Sequence, residues 1–308
     1  PMEGVGDLCR KHDCLLLLDT VTSLGGVPLY IDEWKVDLAY SCSQKGLSCP
    51  PGLGPFTMGP RAEAKMEART GKVPNWYLDV SLLNKYWGSD RVYHHTAPVN
   101  MNFGMREALR LLAEEGVNQS WARHRQNAEA LWSGLESLGL SMHVPADRRL
   151  PTLTTVRIPE GVDGKAFSQH LLNQHGIEIG GGLGSLAGKI WRIGLMGYNS
   201  NPENVNHLLN LFESELPKFG GSVAPLLEPL LQLHGGLGLH HTADHRHFVM
   251  GAGMGCEVHC SSQATPFSIL GSIHNGAHPS LNQGSGTHRT WLQRHNQATL
   301  VAVSYTHL

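Results

Sequence analysis

The chain has 308 residues, 41% of them apolar, which is length for about two domains and enough hydrophobic content to bury real cores. Lys+Arg 24 against Asp+Glu 26 gives a net charge of −2, so there is no basic field to hold nucleic acid or an acidic membrane surface. No apolar run approaches the roughly 18 residues of a membrane-spanning helix, and Pro1-Met2-Glu3-Gly4 lacks the start of a signal peptide, so a soluble intracellular chain with neither nucleic-acid nor membrane partner is expected.

Residues 15–18 are four leucines followed by Asp19. That pattern predicts a strand buried on both faces of a parallel sheet, with a polar residue at the carboxyl end where ligand crevices form. Residues 36–41 predict a second strand, and the Ser/Gly/Pro-rich stretch 42–54 a loop at the same sheet edge, carrying Lys45. Met105, Leu109, Leu112 and Ala113 predict a helix over 105–115 closed by Gly116, and a second helix spans 121–138 before Gly139. From residue 150 the pattern changes to a strand at 154–158, a helix at 164–174, and strands at 177–179 and 190–193. Asn201 is a suitable N-cap and Pro202 a suitable first-turn residue for a last helix. Val205, Leu208, Leu209 and Phe212 line its apolar face, and Pro217 ends it. The fold class expected is α/β: a large domain over 1–139 with a mostly parallel sheet, then a small α+β domain over 140–219.

A lysine in a Ser/Gly loop at a sheet edge, with an aspartate one strand earlier at the matching edge, is what an aldehyde cofactor needs. The amine forms a Schiff base, and for pyridoxal phosphate the carboxylate faces the ring nitrogen and keeps it protonated. Taken singly, Lys45 also reads as a solvated loop residue and Asp19 as a helix cap.

Four ordered motifs add to that pattern. They are Asp19-Thr20-Val21-Thr22-Ser23-Leu24-Gly25-Gly26, Ser41-Cys42-Ser43-Gln44-Lys45-Gly46, Tyr93-His94-His95-Thr96, and Gly180-Gly181-Gly182-Leu183-Gly184 followed by Trp191-Arg192-Ile193-Gly194-Leu195. Together they resemble the alanine–glyoxylate and serine–pyruvate aminotransferases, class V enzymes of aminotransferase fold type I, over about residues 4–218. The resemblance implies pyridoxal 5'-phosphate as cofactor, carried on Lys45, with Asp19 paired to its ring nitrogen. It places Val21 against a face of the ring, Gln44 near the phosphate, Tyr93 and Thr96 on the phosphate of a neighbouring subunit's cofactor, and Arg192 on the substrate carboxylate. It also implies amino acid and 2-oxo acid substrates, a homodimer, and a peroxisomal or mitochondrial address. A transaminase acting on an aromatic amino acid such as 3-hydroxykynurenine is the alternative within the fold. An inactive fragment or a binding protein is the alternative of another class, because the family's amino-terminal arm, phosphate-cupping turn and ring-stacking aromatic have no counterpart before Asp19, and the large domain is expected to be incomplete.

Competing chemistries fit less well. His94 and His95, adjacent on an expected strand, point to opposite faces and are not expected to share a metal ion. Residues 182–189 mimic a phosphate loop but have Leu183 and Ile190 where that pattern needs Gly and Ser or Thr. Cys42 and Cys49 flank Lys45, and with no base expected beside them they read as packing residues. Six cysteines without regular spacing suit reduced thiols rather than a disulfide scaffold. Of the 19 histidines, 11 fall in residues 220–308, a stretch with only six charged residues and no lysine. Its His241, His245, His247, Cys256, His259 and Cys260 lack the regular spacing of zinc modules, and residues 303–308 read as one frame of a sequencing adapter. The segment 220–308 is therefore expected to be a non-native or disordered tail, and no metal is expected.

Overall fold

The computed structural model describes residues 2–226; the expectations for the histidine-rich tail beyond them lie outside the described residues. After α1 (Val5–Lys11), strands β1 (Leu17–Asp19) and β2 (Leu38–Tyr40) pair in parallel, with Leu17 opposite Leu38 and Asp19 opposite Tyr40. β3 (Phe56–Met58) then pairs antiparallel to β2, so the described sheet is mixed. The expectation that residues 15–18 form a strand buried on both faces is corrected here. Among the described residues β1 is paired on one side only, and Leu17 is 55% exposed. Its amino-terminal half is not strand because the Leu16 amide is held by the Asp37 carboxylate at 2.9 Å.

Asp37, 4% exposed, fastens this corner. Arg61, on α2 (Pro60–Glu67), places Nη1 3.1 and 2.9 Å from the two Asp37 oxygens and donates from Nη2 to the Cys14 carbonyl at 3.2 Å. One cation therefore joins α2 to the start of β1 and to the residue before β2. A buried carboxylate is tolerated there because its charge is paired and its remaining lone pairs are used.

α3 (Val80–Trp87), capped by the Asp79 side chain, was not foreseen from the sequence pattern. α4 (Val99–Glu115) and α5 (Val117–Ser137) follow, separated by Gly116 alone, whose φ of +87° breaks the helix as expected. α4 packs Met101, Met105, Ala108 and Leu112 onto Leu47, Cys49 and Leu53 of the Lys45 loop. Leu109 and Ala113, expected on that face, are exposed. The buried positions recur at i, i+4, i+7 and i+11, and 109 and 113 fall on the neighbouring stripe.

A second core surrounds an antiparallel sheet of order β4 (Leu153–Arg157), β6 (Ile190–Gly194), β5 (Gly180–Gly181). α6 (Gly164–His175) and α7 (Pro202–Glu215) cover it, and the rings of Trp191, Phe167 and Phe212 meet with centroids 5.1–5.6 Å apart. The strand expected at 177–179 forms instead at Gly180–Gly181. Gly176, at φ +67°, ends α6 and turns the Ile177 amide back onto the Leu171 carbonyl, so residue 177 has no donor left for a ladder although Ile177 and Ile179 are buried. α7 forms as expected, with the Asn201 side chain accepting from the Asn204 amide at 2.8 Å. The core also takes in Leu131 and Leu135 of α5 and Leu138 at its end, ahead of the expected 139/140 division. Past 219, Val223 and Leu226 pack on it and the Ala224 amide donates to the Leu138 carbonyl, so the packed chain continues beyond the expected boundary at 220.

Among the described residues no helix is long and apolar enough to cross a membrane. Arg61→Ala strands the buried Asp37 charge and is expected to lower stability by roughly 3 kcal/mol. Urea unfolding checks this: the midpoint should drop with little change in slope, and an unchanged midpoint contradicts the role given to the pair.

Candidate active site

The carboxyl ends of β1 and β2 lie side by side, and the chain leaving each one is hydrogen-bonded to the other. Asp19 accepts the Val21 amide on Oδ1 at 2.8 Å and the Tyr40 hydroxyl on Oδ2 at 2.6 Å. The Thr20 amide and hydroxyl both donate to the Tyr40 carbonyl, and the Ser41 hydroxyl donates back to the Thr20 carbonyl. Further along, the fully buried Ser43 donates its hydroxyl to the Pro50 carbonyl at 2.7 Å, and the Ser48 amide donates to the Lys45 carbonyl at 2.9 Å. These bonds shape a closed turn with Lys45 in it. Gly46 is required beside it, because any side chain there would run into the Leu24 carbonyl.

Lys45 is half-buried, and among the described residues none hydrogen-bonds or ion-pairs with its amine. Cys42 senses both candidate catalytic groups: burial pushes its thiol up most strongly, the Lys45 charge pulls it down and the Asp19 charge pushes it up. The expectation that no base stands near Cys42 is thus corrected, yet burial prevails and the thiol is not activated. Cys49 is likewise pushed up by burial, in the apolar cluster under the loop. Val21 is half-buried and Gln44 exposed, each in one of the same two turns. Asp19, Val21, Gln44 and Lys45 therefore share one sheet edge.

Arg192 sits on β6 opposite Thr155 and Gly180, and its Nε donates to the Gly181 carbonyl at 2.6 Å. The turn after this strand meets the Lys45 loop: the Tyr198 amide donates to Ser48 Oγ at 2.8 Å. Gly197, at φ +59°, lies so close to Ser48 that a Cβ would overlap its hydroxyl.

Tyr93 and Thr96 are placed differently. Residues 91–97 are not a strand; Tyr93 Oη and Thr96 Oγ1 lie 3.1 Å apart on the exterior, and Tyr93 is 71% exposed. The bonds that gather the other four residues do not include them. Nor do His94 and His95 point to opposite faces: their Nδ1 atoms are 2.8 Å apart, and buried His94 stacks on Trp76. The opposite-face expectation fails because it requires a regular strand, which this segment does not form.

Several residues that build the site escaped the motif reading. Tyr40 was legible only through the parallel register that sets it opposite Asp19. Ser48 and Gly197 act through backbone approach, which leaves no pattern in a single sequence. The small hollow lined by Trp132, Met142, Val144, Arg149, Leu153 and Thr154 contains none of the candidate residues.

Comparison with known proteins identifies the family. Residues 1–208 match the family aminotransferase class-V. Alanine–glyoxylate aminotransferase of Oryctolagus cuniculus is 45% identical over 221 residues, covering 70% of this chain and 56% of that protein. (S)-Ureidoglycine–glyoxylate transaminase of Bacillus subtilis is 38% identical over 241 residues, covering 72% and 58%. Among solved structures, an alanine–glyoxylate aminotransferase from Nostoc sp. superposes with a TM-score of 0.68 at 63% identity, covering 69% of this chain and 56% of that one. The chain thus spans about half the length of the curated relatives it matches.

Away from the sheet edge, His170, His175 and Glu215 bring three potential metal-ligand atoms within 4.8 Å of one another. Lys218 Nζ, however, lies 2.7 Å from both Glu215 oxygens and His170 Nε2 lies 2.6 Å from one of them. The carboxylate is already neutralised by its own lysine, and the group is a clasp between α6 and the end of α7. The hydrogen bond from Lys218, then that from His170, holds the Glu215 carboxyl down at about 2, against an ordinary 4.5. A depressed carboxyl stabilises the fold at pH above its ordinary value and loses that contribution as pH falls through the folded one. Wild-type stability is therefore expected to decline more steeply between about pH 4.5 and pH 2 than that of Glu215→Gln, as read by thermal melts across that window. Parallel slopes would contradict the clasp.

Proposed function

The chain belongs to the class-V aminotransferases, and from that footing we propose that the protein transfers an amino group from alanine or serine to glyoxylate or pyruvate with pyridoxal 5'-phosphate as cofactor. The observation that carries this is the shared sheet edge, where half-buried Lys45, whose amine has no hydrogen bond or ion pair among the described residues, lies at the same edge as an ordered carboxylate. The donor set fits the cofactor. A carboxylate has about four lone-pair sites, and Asp19 uses one on each oxygen, so either oxygen still accepts an N–H.

When bound, pyridoxal phosphate supplies an aldehyde carbon and a ring that draws electron density from the substrate. Lys45 Nζ would hold it and, as the nearby amine, would serve as the base that moves the proton from the substrate Cα. Asp19, whose oxygens are fixed by the Val21 amide and the Tyr40 hydroxyl, would keep the ring nitrogen protonated. Val21 and Gln44 would complete the set that holds the ring and the phosphate. Arg192 binds the substrate carboxylate; with Nε committed to Gly181, the two Nη nitrogens form the pair that grips it.

The proposal includes a homodimer in which Tyr93 and Thr96 serve the partner's cofactor. Supporting it, Tyr93, Val92, Val99, Phe103 and Trp76 are all exposed large apolar or aromatic residues around that segment. A peroxisomal or mitochondrial address is part of the same proposal and follows the family resemblance alone.

Turnover of alanine, serine and 3-hydroxykynurenine with glyoxylate or pyruvate tests the substrate class. Alanine or serine should react fastest, and Lys45→Ala should lose at least about 10²-fold in rate. Preference for 3-hydroxykynurenine, or full activity in Lys45→Ala, overturns the assignment.

A further inference from the structure

α5 carries a polar stripe of Ser120, Arg123, His124 and Asn127, at i, i+3, i+4 and i+7, that faces inward where an amphipathic helix normally presents apolar side chains. Each member reaches across to another part of the chain. Ser120 Oγ donates to the Gly25 carbonyl at 2.7 Å, in the turn that follows Asp19. Arg123, paired with Glu115, donates Nη1 to the carbonyls of Gly197 at 2.9 Å and Ser200 at 2.6 Å. Asn127 Nδ2 donates to the Ser200 carbonyl at 2.8 Å.

His124 is the fully buried centre of the stripe. Its Nδ1 lies 2.7 Å from the Ser120 carbonyl, and its Nε2 lies 2.8 Å from the Gly197 amide. These partners dictate the ring's state: a carbonyl only accepts, so Nδ1 carries the hydrogen, and an amide only donates, so Nε2 is bare. The imidazole is neutral and in one tautomer. Burial and the Arg123 charge favour that state, against the Ser120 carbonyl and Glu115. Gly197 is followed by Tyr198, whose amide donates to Ser48, and the Ser48 amide donates to the Lys45 carbonyl. A continuous set of hydrogen bonds therefore runs from α5 through the turn after the Arg192 strand to the loop holding Lys45.

We propose that His124 is a positioning residue for the reaction: its bare Nε2 seats Gly197, and so sets where the carboxylate held by Arg192 lies relative to Lys45. The substrate half of this rests on the function proposed above; the seating of Gly197 does not.

Two substitutions separate the bonds of the ring. His124→Gln keeps an acceptor near the Nε2 position, whereas His124→Asn is too short to reach Gly197 and serves only the Ser120 carbonyl. In the full chain loaded with pyridoxal phosphate, His124→Asn should speed amide exchange at Gly197 and Tyr198 about tenfold. It should also weaken alanine binding, read from the absorbance of the bound cofactor, by about tenfold, the equivalent of one hydrogen bond. Cofactor retention should be unchanged, and His124→Gln should restore both readouts toward wild type. Exchange that is alike in all three chains overturns the seat, and so does a glutamine variant as impaired as the asparagine one. Quickened exchange with unaltered alanine binding overturns the positioning role. A wild-type chain that takes up neither cofactor nor alanine overturns the proposed function instead, and the exchange measurement, which needs no ligand, still judges the seat.

Discussion

Two parallel strands in register end together, so β1 and β2 deliver Asp19 and Tyr40 to one edge, and the two turns that leave them must share the space beyond it. Everything else at the site follows from how that crowding is resolved. Hydrogen bonds from Thr20 and Ser41 lace the turns together, and Gly46 lets the Lys45 loop close onto the Leu24 carbonyl. The Tyr40 hydroxyl and the Val21 amide then fix both oxygens of Asp19. The carboxylate is ordered before any ligand arrives, which removes much of the reorganisation that binding otherwise requires.

The second core contributes at a distance. Its apolar cluster, from Leu131 through Phe212 to Leu216, anchors β6 and hence Arg192, while the amino-terminal half of α5 faces the first sheet's turns. α5 thus belongs to both halves: apolar at Leu131 and Leu135, polar at Ser120, His124 and Asn127. On the proposal above, a helix with that division sets the turn after β6 against the Lys45 loop, together with the direct bond from Tyr198 to Ser48. The satisfied hydrogen bonds of the polar half make this placement specific, because any slip would leave buried donors and acceptors unpaired.

Much of this was legible in the sequence where the signal is local. The leucine run ending in Asp19, the Ser-x-Ser-Gln-Lys loop, the Asn201-Pro202 helix start and the Trp-Arg-Ile strand all form close to where pattern and capping chemistry put them. What escaped depends on partners distant in the chain. Leu17 is exposed because burial depends on what packs against its face of the sheet, which no run of leucines reveals. Residues 177–179 carry a strand's composition but yield their first amide to the helix before them. Leu109 and Ala113 fit a helical period as well as Ala108 does, and only the position of the Lys45 loop selects the face that is buried. Among the site residues, Asp19 and Lys45 announce themselves by chemistry and motif, whereas Tyr40, Ser48, His124 and Gly197 become visible only through register and backbone contact. Tyr93 and Thr96 stand apart from the others within one chain, and their role in a partner's site is a proposal that sequence motif alone suggested.

The proposed reactive amine is that of Lys45, at the shared edge of β1 and β2, and the most direct test is to locate the covalent bond. The full chain is incubated with pyridoxal phosphate, reduced with borohydride, digested, and its modified lysine identified by mass spectrometry. One phosphopyridoxyl group per chain on Lys45, with Lys65, Lys85, Lys165, Lys189 and Lys218 unlabelled at equal excess, is the predicted result. Labelling spread over those exposed and half-buried lysines, or concentrated on any one of them, would contradict it.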